Sequence, residues 1–474
     1  MKALQTNAPS LRLFIDHQNT SKSCIHFIGI GGIGMSGLAL TLKHYGYNIQ
    51  GSDHKDSKML HHLNQKGIQT FSHHHPTHLN KAVVVVISSA ISMDNPELQA
   101  ACEKGLPILK RGDVLGMLTP QRKTISIAGS HGKTTTTSLI ATLLDQSDLH
   151  PLVLSGGVIQ SYQSNVILGD GEFLVAEMDE SDGSHQRASS YFGIITNIDP
   201  EHMDFYKSEK HLLDSFHTFL QNIHPGGKAI LCTDHPTVEE ISKSTQTAVL
   251  TYGFKGDPHI HLKNFKTHAN GITFSARMPN GRTFEDLNLR LYGQHNALNA
   301  AAALGVAWQL GLGEEKIRQT FQNFQGVARR FQETGRFDRA RVIDDYAHHP
   351  IEITAVLNAA RHATRGRIYA VCEPHRYTRL KDHLKGFAEA LSLADKAFVM
   401  PLYSASETPI EGISSDTLVD CLKDCGVSAE VTLSIEHLKN ILSGTVNADD
   451  VILFMGAGQS TEWAHKLPML CIKT

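Results

Sequence analysis

Short apolar runs alternate with stretches of helical periodicity along almost the whole chain. This alternation is typical of parallel sheets whose strands are joined by crossover helices. In the first part of the chain it predicts strands at 25–28 and 83–87, a strand that ends at Asp53, and helices at 35–44 and after Lys58. The pattern therefore predicts an α/β domain at the start of the chain.

A second series of strands and helices begins after Pro120, with strands expected at 173–176 and 193–197. Around 259–291 the pattern changes to short alternating runs separated by Gly and Asn turns, which predicts hairpins added to an edge of the sheet. An Ala-rich stretch at 296–310 predicts a long helix. The central part is thus expected to be an α/β domain with added hairpins.

A third series follows the linker at 330–335, with strands expected at 341–345, 368–371, 396–400 and 451–455. Helical stretches separate these strands, as they do in the first two series. We therefore predict three α/β domains in series, with Rossmann-like domains at both ends of the chain.

The length of 474 residues agrees with this number, because domains usually contain roughly 100 to 200 residues. We place an N-terminal extension at 1–23 and the three domains at 24–120, 121–333 and 334–474.

Charge and composition exclude some classes of partner. Lys and Arg number 44 and Asp and Glu 47, a formal balance of -3, so the chain lacks the positive field that nucleic acid or anionic lipid requires. No run of about 18 apolar residues occurs, so we expect no membrane span. The 7 cysteines are scattered without CxxC spacing, which indicates reduced thiols in a cytoplasmic protein. Small molecules are therefore the expected partners, and a homodimer stays open.

Histidine is abundant, with 29 residues in the chain. His73, His74 and His75 form a run just before Pro76, in a stretch that we expect to be a polar surface loop. A metal site is the alternative, but a tetrahedral site needs ligands that converge from more than one segment. We therefore expect the run to reflect surface composition.

The segment ISIAGSHGKTTTT at 125–137 has the form of a phosphate-binding loop. An apolar strand leads into the small residues at 129–132, and Lys133 and Thr134 then open a helix. Backbone N–H groups and the helix N-terminus can hold an anion, the lysine can reach the outer phosphates, and the threonine hydroxyl can bind Mg²⁺. The general pattern asks for Gly where Ile127 stands, so the match is the shorter form GxxGKT. A nucleoside triphosphate is the expected ligand, and a solvated turn is the alternative.

A second glycine-rich turn lies near the start of the chain. Gly29, Gly31 and Gly34 spell GxGxxG between a strand and a helix, and Asp53 ends the next strand. Such a turn lets a pyrophosphate approach the backbone, and the acid suits ribose hydroxyls. NAD and a UDP-sugar fit this chemistry equally well, and a turn without a ligand is a third interpretation.

Acidic residues follow the strands next to the phosphate loop. Glu177 and Asp179 come directly after a buried-type strand, where a carboxylate can complete a Mg²⁺ shell. His202 follows the next strand, GIITNI, at the same edge of the expected sheet. Two Mg²⁺ ions are therefore expected, although acids and histidines in such loops are often simply solvated.

Polar residues near the end of the central domain suit the rest of a nucleotide. His295, Asn296 and Asn299 lie at a helix start, where Asn is often a cap but where a purine base could also be held. Arg329 and Arg330 lie at the linker, and an arginine fork suits phosphate oxygens. A linker charge is the alternative for the arginines.

In the third domain, IDDYAHHP and CEPHRYTR follow two strands, so their polar side chains meet at one sheet edge. We expect a small amino acid there, with arginines on its carboxylate; solvated loops are the alternative. The residues concerned are Asp345, Tyr346, His348, Arg376 and Arg379.

The ordered motifs GSHGKTTTT, AEMDESD, NIDPEHMD, YGQHNALNA, ARRF and DDYAHHP strongly resemble those of the Mur ligases of peptidoglycan synthesis. The resemblance extends from Cys24 to about Gly458. The segments GIGGIGMSG, QGSD, ISSAI and CEPHRYTR favour the branch that adds L-alanine. Two departures are Ser130 where the family usually has Thr, and Met178 where it usually has Ala; no position supports a carbamylated lysine.

The resemblance implies a first domain that holds the UDP part of UDP-N-acetylmuramate, a central ATPase domain and a third domain that brings in L-alanine. The implied ATP contacts are Gly129, Ser130, His131, Gly132, Lys133, Thr134, Thr135, His295, Asn296, Asn299, Arg330 and Asp345. The implied UDP-sugar contacts are Gly29, Gly31, Gly32, Gly34, Met35, Ser36, Asp53, Ser88 and Ser89. The implied amino-acid contacts are Tyr346, His348, Arg376 and Arg379, and the implied Mg²⁺ ligands are Thr134, Glu177 and His202.

The implied reaction is amide formation through an acyl phosphate, with release of ADP and phosphate. Catalytic roles then fall to Lys133, Glu177, His202, Arg330 and His348, the last as a helper in deprotonating the amine. Three rivals stay open: a murein peptide ligase that adds a recycled tripeptide, an NAD-dependent oxidoreductase, and a nucleotide switch without turnover.

Overall fold

The computed structural model describes residues 23–268, 270–405 and 407–471, so the expected extension at 1–23 lies almost wholly outside the described residues. The β-strands are β1 (Cys24–Ile28), β2 (Ile49–Ser52), β3 (Gln69–Phe71), β4 (Ala82–Ile87), β5 (Ile108–Lys110), β6 (Lys123–Ala128), β7 (Leu152–Ile159), β8 (Ser164–Leu168), β9 (Phe173–Glu177), β10 (Ser190–Ile195), β11 (Ile223–Cys232), β12 (Val249–Gly253), β13 (Ile260–His268), β14 (Gly271–Arg277), β15 (Thr283–Leu289), β16 (Gln332–Phe337), β17 (Ala340–Asp345), β18 (Ile368–Cys372), β19 (Lys396–Val399), β20 (Ala429–Val431) and β21 (Val451–Met455).

The α-helices are α1 (Ile33–His44), α2 (Lys58–Gln65), α3 (Pro96–Glu103), α4 (Arg111–Leu118), α5 (Lys133–Gln146), α6 (Met203–Tyr206), α7 (Glu209–Gln221), α8 (Pro236–Ser244), α9 (Gln294–Gln309), α10 (Glu314–Asn323), α11 (Pro350–Ala363), α12 (Tyr377–Leu391), α13 (Ser415–Asp424), α14 (Ile435–Leu442) and α15 (Ser460–Lys466). Short 3₁₀ helices occur at Pro76–Lys81, Thr119–Gln121, Gln160–Tyr162, Ser184–Arg187 and Leu467–Cys471.

The first sheet has five parallel strands in the order β3-β2-β1-β4-β5. The strand order reverses between β1 and β4, and ligands of open α/β sheets bind at such a switch point. The GIGGIG turn follows β1 and therefore lies there. Helix α1 begins at Ile33, two residues before the expected start, because Gly32 is its extended N-cap.

The second sheet has ten strands in the order β15-β14-β13-β12-β11-β10-β6-β9-β7-β8. Strand β6 is central and pairs in parallel with β10 and β9, so the loop after β6 lies beside the ends of two neighbouring strands. Strands β13, β14 and β15 extend one edge, as the hairpin pattern predicted. The antiparallel pair β7 and β8 at the other edge was not predicted.

The third sheet has the order β16-β17-β21-β18-β19-β20. Its strands pair in parallel except for β16, which pairs antiparallel with β17. The sequence did not predict β16 because its residues, QETGRF, are mostly polar and only partly buried. The three parallel-rich sheets confirm the predicted α/β fold class.

Packing groups the chain into two compact units. One runs to Lys263 and includes Ala276–Glu285 and Leu298–Phe324; the other comprises Asn264–Ser275, Asp286–Ala297 and the chain from Gln325 onward. In the first unit a single hydrophobic cluster joins the first sheet and the central sheet.

Helix α1 lies at the join between these two sheets. A Cβ on Gly37 in this helix would lie 3.1 Å from Cγ2 of Val166, on β8. The Asn165 side chain donates to the Ile33 carbonyl at 2.9 Å. The sheet that carries the GIGGIG turn and the sheet that carries the phosphate loop therefore pack directly against each other.

None of the described helices combines the length and the apolar character needed to cross a membrane. Free thiols, as expected, are found at Cys24, Cys102, Cys232, Cys372, Cys421 and Cys425.

Candidate functional site

The phosphate loop joins the end of β6 to the start of α5 and needs glycine at two positions. Gly129 has φ 128° and Gly132 has φ 81°, backbone conformations that glycine adopts without steric cost. A Cβ on Gly129 would overlap Oγ1 of Thr196, and a Cβ on Gly132 would lie 2.5 Å from Oδ1 of Asn299. The loop is therefore a closely packed cradle.

Residues that follow the neighbouring strand β10 hold this loop in place. The His131 N–H donates to Oδ1 of Asn197 at 2.7 Å, and the Asp199 N–H donates to Oγ of Ser130 at 2.9 Å. Since Ser130 acts through its hydroxyl, its replacement of the usual family Thr keeps this contact. Anchored on both sides, the loop needs little rearrangement to receive an anion.

Lys133 folds back over the loop toward an acidic partner. Its Nζ donates to the Gly129 carbonyl at 2.6 Å and to both oxygens of Glu180 at 2.9 and 2.8 Å. Burial alone lowers the pKa of Lys133, but the negative charges of Glu180, Glu177 and Asp179 outweigh it and raise that pKa. The lysine is thus a fixed positive charge at the mouth of the loop.

Thr134 and Glu177 lie together, as expected of two ligands of one ion. Their Oγ1 and Oε1 atoms are 3.2 Å apart, and the other oxygen of Glu177 accepts from the Gly156 N–H at 2.8 Å. Hydroxyl and carboxylate oxygens form the donor set that Mg²⁺ prefers. Met178 is fully buried, and Glu177 beside it keeps its contact with Thr134 despite this departure from the usual Ala.

His202 lies beside two carboxylates other than Glu177. Its Nε2 is 3.6 Å from Oε1 of Glu180 and 4.0 Å from Oε2 of Glu201. These three residues form a group whose atoms lie close enough to share a cation. The hydrogen bond to Glu180 raises the pKa of His202. Glu180 was missed by the sequence reasoning, although it lies in the same AEMDESD motif.

The three residues expected near adenine have different surroundings. Asn299 is buried, and its Oδ1 accepts from Oγ1 of Thr136 at 3.2 Å, so it braces α5 against α9. Nδ2 of Asn296 donates to the Tyr292 carbonyl at 2.8 Å and lies 3.1 Å from Nε2 of His295.

The GIGGIG turn at the end of β1 is closed by the acid that was expected to bind ribose. The Gly31 N–H donates to Oδ2 of Asp53 at 2.9 Å, and a Cβ on Gly29 would lie 3.2 Å from Cβ of Ser88. Met35 and Ser36 are buried at the start of α1. Oγ of Ser36 donates to the Ile33 carbonyl at 3.1 Å, and a Cβ on Gly32 would lie 3.9 Å from Cγ of Met35.

The buried carboxylate of Glu97 supports the same turn through Ser52. Glu97 on α3 lies 2.7 Å from Nδ1 of His78 and 3.2 Å from Nδ1 of His74, and it accepts a short hydrogen bond from Ser52. The Ser52 carbonyl in turn accepts from the Gly29 N–H at 2.8 Å. Burial alone raises the pKa of Glu97, but hydrogen bonds from its partners outweigh it and lower that pKa to about 2.

This network changes the expectation for His74 within the histidine run. The His74 side chain is only 15% exposed, and the backbone N–H of His75 donates to Oε1 of Glu97 at 3.2 Å. His74 therefore anchors the loop through its side chain and His75 through its backbone, while the side chains of His73 and His75 are exposed, as expected of a surface loop. No local pattern marks this anchor, because Glu97 lies more than twenty residues further along the chain.

In the second unit, the linker before β16 is tied to the end of β17. The two oxygens of Asp345 accept from the N–H groups of Phe331 at 2.7 Å and of Ala347 at 2.7 Å. Arg329 and Arg330 both lie over the ring of Tyr346, at 4.8 and 5.5 Å from its centroid. Burial raises the pKa of Asp345 to about 6, against the lowering effect of Arg330.

The structure gathers three of the residues expected around an amino acid. Rings of Tyr346 and His348 are 5.0 Å apart, and those of His348 and His375 are 5.8 Å apart. Nη1 of Arg379 lies 3.2 Å from Nδ1 of His375, whose ring stacks on Tyr403. Burial lowers the pKa of His348 and lowers the pKa of His375 to about 4.

His375 is thus the residue that joins this group, and the sequence reasoning missed it. It stands directly before Arg376 in CEPHRYTR, so the motif itself contained the signal. Arg376 has φ 73° and is fixed by its N–H, which donates to the Tyr403 carbonyl at 2.8 Å.

Three parts of the chain match domains of one protein family. Residues 24–123 match the domain described as "Mur ligase family, catalytic domain", residues 127–307 the "Mur ligase middle domain", and residues 329–458 the "Mur ligase, glutamate ligase domain".

Individual relatives are similar over almost the whole chain. A UDP-N-acetylmuramate--L-alanine ligase of Methylobacterium sp. (strain 4-46) is 45% identical, over 94% of this chain and 96% of the relative. The crystal structure of the UDP-N-acetylmuramate-alanine ligase of Thermotoga maritima has a TM-score of 0.81 at 27% identity, covering 94% of this chain and 98% of that one. A murein peptide ligase of Psychrobacter arcticus 273-4 shares the fold, with a TM-score of 0.71 at 22% identity, covering 95% of this chain and 99% of that one.

Proposed function

The chain belongs to the Mur ligase family, and from this membership we propose that it joins L-alanine to the lactyl carboxylate of UDP-N-acetylmuramate at the expense of ATP. The product would be the first amino-acid adduct of the peptidoglycan precursor. The names of the similar relatives favour L-alanine over a tripeptide as the acceptor. An NAD-dependent oxidoreductase gains no support, because it leaves the phosphate loop and the third sheet without a role.

The observation that carries the proposal is the arrangement at the end of β6. A glycine cradle, a partly buried lysine and a hydroxyl–carboxylate pair lie together there, formed by Gly129, Lys133, Thr134 and Glu177. These are the parts that transfer of a γ-phosphoryl group requires. Mur ligases in general use ATP and Mg²⁺, and the donor set fits that ion.

The first step is attack of the lactyl carboxylate on the γ-phosphate, which gives an acyl phosphate and ADP. Lys133 would exchange Glu180 for phosphate oxygens and stabilise the charge that develops on them. Mg²⁺, when bound, would neutralise part of the same charge. Thr134 and Glu177 fit one ion, and His202 with Glu180 and Glu201 fits a second.

The second step is attack of the alanine amine on the acyl carbon, with loss of phosphate. The amine must first lose a proton. Burial keeps the pKa of His348 below its usual value, so its imidazole is neutral near pH 7 and able to accept that proton. Arg379 would hold the carboxylate of the amino acid through paired N–H donors.

The other assignments remain predictions. They include the domain boundaries at 24–120, 121–333 and 334–474, a homodimer and a cytoplasmic location. The phosphate contact of Arg330, the ATP contact of Asp345 and the contacts of His295 and Asn296 with adenine also belong here.

An acceptor comparison tests the proposed function. Purified protein is given UDP-N-acetylmuramate, ATP and Mg²⁺, and ADP release is measured with L-alanine, with the tripeptide L-Ala-γ-D-Glu-meso-diaminopimelate, or with no acceptor. We expect rapid ADP release only with L-alanine. Preference for the tripeptide would assign the chain to the murein peptide ligases, and acceptor-independent release would exclude both ligases.

A further inference from the structure

Arg111, the first residue of α4, lies between the two glycine-rich turns. Its Nη2 donates to Oδ2 of Asp179 at 3.2 Å and to Oδ2 of Asp182 at 3.0 Å. A Cβ built on Gly34 would lie 3.1 Å from Cδ and 3.3 Å from Nη1 of the same arginine. One edge of the guanidinium therefore faces two carboxylates, and the other lies over the first turn of α1.

The two carboxylates belong to residues 179–182, which we call the acidic loop. Its own hydrogen bonds make it compact: the Ser181 N–H donates to Oδ1 of Asp179 at 3.0 Å, and Oγ of Ser184 donates to the Asp179 carbonyl at 2.8 Å. Glu180, in the middle of the loop, holds Lys133. One four-residue loop thus carries the partner of the ATP-site lysine and the partners of Arg111.

Close packing fixes α4 against the segment that follows the acidic loop. A Cβ on Gly112 would lie 2.6 Å from Cβ of Ser184, and a Cβ on Gly116 would lie 3.0 Å from the Arg187 carbonyl. Only glycine allows the helix to come this near. Arg111 is therefore carried on a rigid support and cannot move far from the acidic loop without repacking it.

Asp179 and Asp182 balance the charge of Arg111, and both contact it through Nη2. The N-terminus of α1 carries partial positive charge, and the guanidinium adds a full charge above the same turn. Asp179 and Asp182 neutralise this charge only from the edge of the guanidinium that faces away from the turn. A guanidinium presents donors on both edges, so it can keep its carboxylates and still donate to phosphate oxygens over the turn.

We propose that Arg111 is a positioning residue: it binds the diphosphate of the nucleotide sugar at the GIGGIG turn while its carboxylate partners hold it to the acidic loop. This inference rests on the proposed function, because it takes the ligand of that turn to be a UDP-sugar. Arg111 sets the distance between the bound diphosphate and the loop that carries Glu180. It thereby places the lactyl carboxylate for attack on ATP.

The test compares binding with turnover in four variants. UDP and UDP-N-acetylmuramate are titrated calorimetrically into wild type, R111A, R111K and R187A without ATP, and KM and kcat are then measured in the ligase assay. We expect R111A to weaken UDP binding at least about tenfold, which is the scale of a lost charge-assisted hydrogen bond. KM for the sugar nucleotide should rise by a similar factor. R111K should recover only part of the loss, because lysine keeps the charge but not the fork.

R187A is the matched control. Nε of Arg187 pairs with Oδ1 of Asp113 at 3.1 Å across the same contact, but away from the turn. Its removal should lower the melting temperature without changing the affinity for UDP. Equal weakening by R111A and R187A would overturn the proposal, as would unchanged UDP binding in R111A.

D182N separates the anchoring of Arg111 from its contact with the ligand. This variant keeps the guanidinium but removes one of its anchors, so we expect kcat to fall several-fold while UDP affinity changes less than about twofold. A loss of UDP affinity as large as that in R111A would overturn the positioning role. If wild type itself binds no UDP, the proposed function fails instead, so the two failures are distinguishable.

Discussion

The chain contains two glycine-rich turns of the same basic design, and they differ in what surrounds them. Both follow an inner strand that pairs in parallel with its two neighbours, and both open a helix. The GSHGKT turn contains Lys133 and Thr134, and Glu177 lies beside it. The GIGGIG turn contains no charged residue, and Asp53 occupies its Gly31 N–H. The first is equipped to stabilise a phosphate in transfer, and the second only to hold one in place.

This difference matches the two nucleotides of the proposed reaction. The γ-phosphoryl group of ATP is transferred in the reaction, so its site needs charges that stabilise the transition state. The UDP diphosphate stays intact and needs only binding. Substitutions at the GSHGKT turn should therefore lower kcat, and those at the GIGGIG turn should mainly raise KM for the sugar nucleotide.

Lys133→Ala should have the largest effect. We expect kcat for L-alanine-dependent phosphate release to fall at least about a hundredfold, the scale for loss of a preorganised charge. Lys123→Ala is the control, since Lys123, the first residue of β6, forms an exposed ion pair with Glu172. Near-normal turnover in Lys133→Ala would contradict the assignment of this loop.

Glu177→Gln should come next, because it removes the carboxylate beside Thr134. We expect roughly a tenfold or greater loss of kcat, with a raised Mg²⁺ requirement in a titration of activity against the ion. Glu172→Gln, at a half-exposed position, serves as the control. An unchanged Mg²⁺ dependence would remove Glu177 from the ion site.

Gly34→Ala alters the GIGGIG turn and should change only KM for the sugar nucleotide. The added Cβ would press on the Arg111 side chain, at 3.1 Å from Cδ. We expect KM for UDP-N-acetylmuramate to rise about fivefold, the equivalent of about 1 kcal/mol of strained contact, with kcat and KM for ATP unchanged. Gly313→Ala, where no atom lies within 4 Å of the new Cβ, is the control. A fall in kcat as large as that of Glu177→Gln would erase the contrast between the turns.

Glu97→Gln should have the smallest effect on activity and a clear one on stability. The amide cannot accept from all the donors around it, and a buried unsatisfied donor costs about 1–3 kcal/mol. The pKa of Glu97 is lowered from 4.5 to about 2, so its ionised form stabilises the fold above pH 4.5 and that contribution is lost as the pH falls toward 2. Chemical denaturation at several pH values should show this loss in wild type and a flatter profile in the variant; parallel profiles would argue against an ionised Glu97.

Strands with long apolar runs were predicted to within a residue or two, as β4 and β21 show, because burial on both faces leaves a clear signature. The short or polar edge strands β8, β16 and β20 were not predicted, because their pairing depends on neighbouring strands rather than on their own sequence.

Within the site, residues that belong to a local sequence motif were predicted, and residues that act through distant partners were not. Lys133, Thr134 and Glu177 lie in motifs and were predicted together. Arg111 and Glu97 act through partners at least 19 residues away, so no local pattern marks them. His375 could have been found, because it stands inside a motif that was already singled out.

The most direct test of the central contrast is the fate of oxygen in the lactyl carboxylate. UDP-N-acetylmuramate labelled with ¹⁸O in both carboxylate oxygens is turned over with ATP, Mg²⁺ and L-alanine, and the released phosphate is analysed by mass spectrometry. If the GSHGKT turn transfers phosphate to that carboxylate, each phosphate carries one ¹⁸O and the uridine diphosphate stays intact. Phosphate without ¹⁸O would show that water, not the sugar carboxylate, receives the phosphoryl group, and would contradict the account.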